Sequence, residues 1–208
     1  MTDETAIPEA GGHTAQARAA RVEQELRDAG VLREGEIEQR TADAPTADRF
    51  VEGRRVVARA WVDAQFRQRL LADASSAIGE LGMTVEAGHQ PGLELHAVEN
   101  TDEVHNLIVC TLCSCYPRAL LGAPPAWYSS EAYRAKAVRD PVGVLADFGL
   151  ELDDDANVRV WDSTAETRYL VLPQRPVGTE GWTEEQLAEL ITPDTLIGTA
   201  VVSAPAGV

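Results

Sequence analysis

The stretch NLIVCTLCSCYP, residues 106–117, runs from an apolar segment of strand character straight into Cys-x-x-Cys-x-Cys, and it holds all three cysteines of a 208-residue chain. Reading outward from it, LELHAV (93–98) gives a strand before the cluster, and VRVWD (158–162) and RYLVLP (168–173) give two strands after it. Between these pairs, SSEAYRAKAVRDP and PVGVLADFG have helical patterns. Upstream, RVVARAWVDAQFRQRLLADASSAIGELGM spaces Val57, Trp61, Phe66, Leu70, Leu71, Ile78 and Leu81 at helical intervals. Asp63 is a candidate N-cap inside that run and Gly82 its stop, so two or three consecutive helices are predicted. Near the C-terminus, TEEQLAELIT sets Thr183 at an N-cap with Gln186 at N3, the pattern of a capping box. Helices interleaved with strands predict a mixed α/β (α+β) domain of helix and sheet layers over residues 47–208.

Residues 1–46 have a different character. TAQARAARVEQELRDAG offers Thr14 as N-cap, Val22 and Leu26 as a thin apolar stripe and Gly30 as stop, and GEIEQRTADAPTADRF reads as a second short helix with a turn at Pro45. A stripe so narrow does not belong to a core. This part is expected to be a tail and helical arm that finds its surface on another subunit.

Composition narrows the function. With 44% hydrophobic residues the chain can fill one sizeable core. Lys and Arg number 18 against 34 Asp and Glu, a formal charge of −16, which repels phosphate backbones and anionic membranes. No nucleic-acid or membrane role is expected. No apolar run approaches the ~18 residues of a membrane span, and MTDETAIPEAGGHT has no basic or apolar leader pattern, so the expected location is cytoplasmic. Three thiols in one cluster are not the framework of a secreted disulfide scaffold.

The spacing of Cys110, Cys113 and Cys115 lets all three sulfurs converge on one ion, whereas the 113/115 pair is too tight for an ordinary disulfide. The backbone between them runs beside that ion, which brings the amide nitrogens of Ser114 and Cys115 within reach if they deprotonate. Only a strongly Lewis-acidic centre such as trivalent cobalt or iron favours that. Other readings stay open at this level: structural zinc with His105 as fourth ligand, a thioredoxin-like redox pair, or three inert core cysteines. The remaining histidines, His13, His89 and His96, form no catalytic pattern, and ELDDDAN (151–157) lacks the spacing of a calcium loop.

VCTLCSCYP resembles the metal-binding motif of nitrile hydratase α subunits. The resemblance extends through VENTDEVHN, LGAPPAWY, VWDS, VLPQRPVGTEGW and LIG, over roughly residues 50–198. It implies a noncorrin metal held by the sulfurs of Cys110, Cys113 and Cys115 and by the backbone nitrogens of Ser114 and Cys115. It further implies that Cys113 becomes a sulfinate and Cys115 a sulfenate, with Cys115, Ser114 and Cys113 carrying the catalysis. Thr111 and Tyr116 resemble the cobalt type, so Co(III) is expected ahead of Fe(III). The implied partners are a nitrile substrate, a β-type subunit whose arginines meet the oxidised sulfurs, and an activator protein that inserts the cobalt.

Two positions depart from the family pattern. Members commonly carry GxQGE, where this chain has an inserted Pro91 between Gln90 and Gly92; Gln90 is carried over as a substrate-binding residue. Typical nitrile hydratases have Trp where this chain has Arg118, and the γ subunit of the related thiocyanate hydrolase has Arg. Arg118 is therefore expected to bind substrate and to favour a polar or heterocyclic nitrile, with thiocyanate as the alternative. From a different class, a zinc-stabilised binding module without chemistry is the remaining alternative.

Overall fold

A computed structural model describes residue 24, residues 27–30, residue 33 and residues 50–85, 92–113, 115–152 and 156–204. The chain divides into two units, Met1–Ala44 and Pro45–Val208. In the first, a helical turn stops at Gly30, whose φ of 69° is left-handed and whose N–H donates to Arg27 O at 2.9 Å. Thr14, Val22 and Leu26 of the predicted arm helix, and the short helix expected after it, lie outside the described residues.

The second unit opens with three consecutive helices, α1 (Phe50–Val62), α2 (Ala64–Ala72) and α3 (Ala74–Gly79). An aspartate makes each break. Asp63 has extended dihedrals (φ −122°, ψ 98°) and its carboxylate accepts from the N–H groups of Gln65 and Phe66; Asp73 does the same for Ser76. Each cap satisfies amide donors that a helix start leaves orphaned, worth about 1 kcal/mol. The inward residues Val56, Val57, Ala60, Phe66, Leu70 and Ile78 are at most 1% exposed. Each of the larger ones contributes roughly 1.5–3 kcal/mol by leaving water.

Four strands follow the predicted pattern: β1 (Glu94–Glu99), β2 (Val104–Val109), β3 (Asn157–Asp162) and β4 (Thr167–Leu172). They form two parallel two-stranded ladders, β1 with β4 and β2 with β3. Leu107, Ile108 and Val109 of β2 and Leu170, Val171 and Leu172 of β4 are fully buried. Burial of successive residues, not alternate ones, means that both faces are covered, the usual condition of parallel strands. A buried polar network spans the ladders. Asn106 donates its N–H to Asn100 Oδ1 (2.8 Å) and its Nδ2 to Glu99 O (2.7 Å), and accepts from Trp161 Nε1 on Oδ1 (2.8 Å).

Between β2 and β3 come α4 (Arg118–Leu121), a 3₁₀ turn (Ala126–Ser129), α5 (Glu131–Arg139) and α6 (Pro141–Asp147); after β4 come α7 (Glu184–Glu189) and α8 (Pro193–Ile197). The capping box expected at Thr183 and Gln186 is present on α7. A second one, Thr192 with Thr195, starts α8, which sequence patterning does not reveal. Among the described residues no helix is long and apolar enough to cross a membrane.

Gly198 ends α8 with φ 88°, and a Cβ there would stand 1.8 Å from Asn106 O. Its carbonyl accepts from His105 Nε2 at 2.6 Å, which ties the last helix to β2. Gly198→Ala therefore combines left-handed strain with a backbone collision. It is expected to lower unfolding free energy by roughly 2–4 kcal/mol, measured by urea denaturation.

Candidate metal centre

β2 delivers the cysteine cluster. Cys110 follows its last residue and is fully buried. The register pairs Val109 with Asp162, so the end of β3 lies alongside the start of the loop. Asp162 grips Thr111 twice, accepting from its N–H on Oδ1 (2.9 Å) and from its hydroxyl on Oδ2 (2.6 Å). One step on, Ser163 N–H donates to Val109 O at 2.7 Å.

Two tyrosines hold the loop from beneath. Tyr128 OH donates to Cys115 O (2.9 Å) and Tyr133 OH to Ile108 O (2.6 Å). Their rings sit in an aromatic cluster in which Tyr116 meets Tyr128 edge-on at 5.0 Å and Trp127 meets Tyr133 at 4.8 Å and Phe148 at 4.7 Å. Burial pushes both phenols above their ordinary range, so they stay protonated donors at physiological pH. From α5, Arg134 directs Nη1 at the carbonyls of Thr111 (3.3 Å) and Cys113 (3.5 Å).

So held, the three sulfurs converge. Cys110 Sγ lies 3.1 Å from Cys113 Sγ, which lies 2.9 Å from Cys115 Sγ, and all three fall within 4.8 Å of one another. Cys113 N–H also points at Cys110 Sγ, at 3.3 Å. The sulfur spacing an ion imposes depends on its geometry. With metal–sulfur bonds of about 2.3 Å, a tetrahedral ion holds its sulfurs about 3.8 Å apart and a right-angled one about 3.3 Å apart. The separations of 3.1 and 2.9 Å are nearer the right-angled value. Three soft sulfur donors at one point fit a transition metal.

Zinc with His105 as fourth ligand does not survive the geometry. Among the described residues, Cys110, Cys113 and Cys115 are the one group of three or more such donors, and no histidine or carboxylate joins it. His105 is buried, donating Nε2–H to Gly198 O (2.6 Å) with Nδ1 facing Asn100 Nδ2 (3.4 Å). Burial holds its pKa below the ordinary value, which keeps the ring neutral.

Burial disfavours a bare thiolate at the third cysteine. Burial first, and then the hydrogen bond with Cys113, push the Cys115 thiol up to about 12, against the pull of the Arg168 charge. Arg168 is 4% exposed on β4; its Nη1 donates to the carbonyls of Thr164 and Thr167, while its Nε is buried without a partner among the described residues.

Of the other predicted site residues, Ser114 and Gln90 lie outside the described residues. Arg118 is exposed as the first residue of α4, its N–H on Tyr116 O at 2.7 Å. Among the described residues its guanidinium has no acid to pair with. Sequence reasoning assigned no role to Asp162, Tyr128, Tyr133, Arg134 or Arg168. Asp162, at the end of a predicted strand, was the one with a usable signal, since strand ends in layered folds carry site residues.

The model of the family "Nitrile hydratase, alpha chain" matches residues 13–200. The α subunit of the low-molecular-weight cobalt-containing nitrile hydratase of Rhodococcus rhodochrous is 60% identical over 153 residues, 74% of this chain and 72% of that protein. The γ subunit of thiocyanate hydrolase from Thiobacillus thioparus is 46% identical over 154 residues, 71% of this chain and 63% of that protein. Among solved structures, a double mutant of the Fe-type nitrile hydratase from Comamonas testosteroni Ni1 superimposes with a TM-score of 0.83 at 36% identity, covering 94% of each chain.

Tyr133→Phe removes the one hydroxyl that satisfies Ile108 O in a buried setting. It is expected to cost about 1–3 kcal/mol in denaturant midpoint analysis while leaving far-UV circular dichroism unchanged.

Proposed function

Because the chain belongs to the nitrile hydratase α-chain family, we propose that it is the metal-bearing catalytic subunit of a cobalt-type nitrile hydratase, adding one water across a nitrile to give the amide. The observation that carries the reading is the sulfur triad at the end of β2, with separations of 3.1 and 2.9 Å. The cobalt-containing relative from R. rhodochrous, together with Thr111 and Tyr116 beside the cysteines, favours cobalt over iron. The sulfurs of Cys110, Cys113 and Cys115 would hold it, with the backbone nitrogens of Ser114 and Cys115 completing the protein donors. Bound there, Co(III) supplies the Lewis acidity that polarises a nitrile toward attack by water.

The chain's own residues divide the remaining work. Cys110 is sealed, whereas Cys113 is exposed and Cys115 half-buried, so oxidants reach the second and third sulfurs and not the first. This supports the sulfinate on Cys113 and the sulfenate on Cys115 that the family resemblance implies. The sulfenate oxygen on Cys115 takes the proton of the attacking water. Tyr128 fixes the Cys115 carbonyl while this happens. In sequence Ser114 stands between two of the donors, and its hydroxyl would serve as a donor to substrate or to an oxidised sulfur. No side-chain triad is needed.

The oxidised sulfurs carry negative charge that calls for paired donors; the residues adjoining the cluster in sequence other than Arg118 are neutral, and the nearby guanidiniums of Arg134 and Arg168 are turned to backbone carbonyls. A β-type partner supplying cations fits this need, with residues 1–46 as the arm that embraces it and a cobalt-inserting activator acting before assembly in the cytoplasm.

Arg118 selects substrate. Exposed and without an acid partner among the described residues, its guanidinium offers a fixed fork of donors where an apolar wall would suit alkyl nitriles. With Gln90 it favours a nitrile rich in acceptors, such as a heterocyclic nucleoside nitrile. The same arginine supports a second reading, the metal-bearing subunit of a thiocyanate hydrolase releasing ammonia and carbonyl sulfide, in line with the similarity to the T. thioparus γ subunit. Product analysis separates the two.

Purified heteromer is expected to contain about one cobalt per chain, with mass spectrometry showing oxygen additions on Cys113 and Cys115 and none on Cys110. Cys113→Ala should abolish both cobalt and activity. Zinc with three unmodified thiols in active protein would sink the reading. For Arg118→Trp, the ratio of kcat/KM for a small alkyl nitrile to that for a polar heterocyclic nitrile should rise about tenfold, as one misplaced polar contact of ~1.4 kcal/mol implies.

A further inference from the structure

Arg134 stands apart from the residues the proposed chemistry uses. It projects from the middle of α5, half-buried, and its Nη1 is shared between the carbonyl oxygens of Thr111 (3.3 Å) and Cys113 (3.5 Å), two of the loop residues that separate or carry the sulfurs. Its Nε is buried with no partner among the described residues, so the side chain has been drawn out of water for few other contacts. Beside α5, an open cleft of about 440 Å³ is lined by Thr111, Glu131, Arg134, Ala135, Val138 and Arg139.

A guanidinium is the side chain suited to this place. Hydrogen bonds from a charged donor are roughly twice as strong as neutral ones, and one guanidinium nitrogen here serves two carbonyls. The other anchors act elsewhere on the loop: Asp162 takes the N–H and hydroxyl of Thr111, and Tyr128 takes the carbonyl of Cys115. Arg134 reaches carbonyls on both sides of Leu112, which is itself 87% exposed. Because a trans peptide sets its N–H opposite its C=O, drawing these carbonyls toward α5 turns the amide edges of the same peptides away from it.

We infer that Arg134 is a positioning residue for metal capture: from α5 it clamps the Thr111 and Cys113 carbonyls, so that the loop keeps its three sulfurs converged before the ion arrives. The inference rests on the proposed metal-bearing function, yet the clamp is a contact within the chain and is measurable without metal.

The test compares parent, Arg134→Met, Arg134→Gln and Arg134→Lys in two ways. Hydrogen–deuterium exchange on the metal-free full chain, read in the peptide spanning 110–117, should be about tenfold faster in Arg134→Met and Arg134→Gln, with Arg134→Lys between them and the parent. In heteromer produced with cobalt salt, cobalt per chain and the sulfur-to-metal charge-transfer absorption should fall below half in the first two variants and recover in part with Lys. Unchanged loop exchange in Arg134→Met overturns the inference, whatever the cobalt content. Global unfolding of both neutral variants also overturns it, because Arg134 would then serve α5 and the core and not the loop. A parent chain that binds no cobalt, with exchange differences intact, refutes the metal-bearing function while leaving the clamp standing.

Discussion

Three ionisable sulfurs, with neighbours in the row about 3 Å apart, repel as soon as they carry charge. At an effective dielectric near 20, two unit charges at that spacing oppose each other by about 5 kcal/mol, more than any single hydrogen bond around the loop returns. The neighbouring residues therefore cannot stabilise the charged cluster by themselves; they can only fix where its atoms lie. Beyond the pull of the Arg168 charge, compensation is left to an ion. The two tasks are divided accordingly, with Asp162, Tyr128 and Tyr133 setting positions and the sulfurs left to meet a cation.

That division explains the architecture around the cluster. A loop pinned by side chains needs rigid elements on several sides, and the parallel pairing of β2 with β3 puts one strand end directly beside another. Burial of Leu107, Ile108 and Val109 fixes the last residues of β2 before the chain turns. The aromatic cluster beneath gives the two tyrosine hydroxyls a stiff base. Asn106, which interrupts an otherwise apolar segment, spends its polar atoms joining the ladders and thereby sets the strand that ends in Cys110.

Much of this was legible in the residues. The strands showed as apolar runs, and the helix breaks at Asp63 and the start at Thr183 showed because capping chemistry is local. The metal donors were legible for the same reason, since three cysteines within six residues need no long-range information. What stayed hidden was everything that crosses the chain. Tyr128 reaches Cys115 over 13 residues, Tyr133 reaches Ile108 over 25, and Asp162 reaches Thr111 over 51. Pairing of β2 with β3 leaves no trace in either strand alone. α4 and α8 were missed because four or five residues are too few to show an apolar period.

The reach from Thr111 to Asp162 also sets a clock on synthesis. At about 5–20 residues per second, the ribosome completes Asp162 some 3–10 s after Thr111, and until then the cysteines have no strand end to fasten against. During that interval three thiols travel on an unfinished chain, open to stray metals and oxidants. The sulfur geometry thus comes into being only when translation is well past the cluster, which makes selection of the ion an event of the folded chain and not of the nascent one.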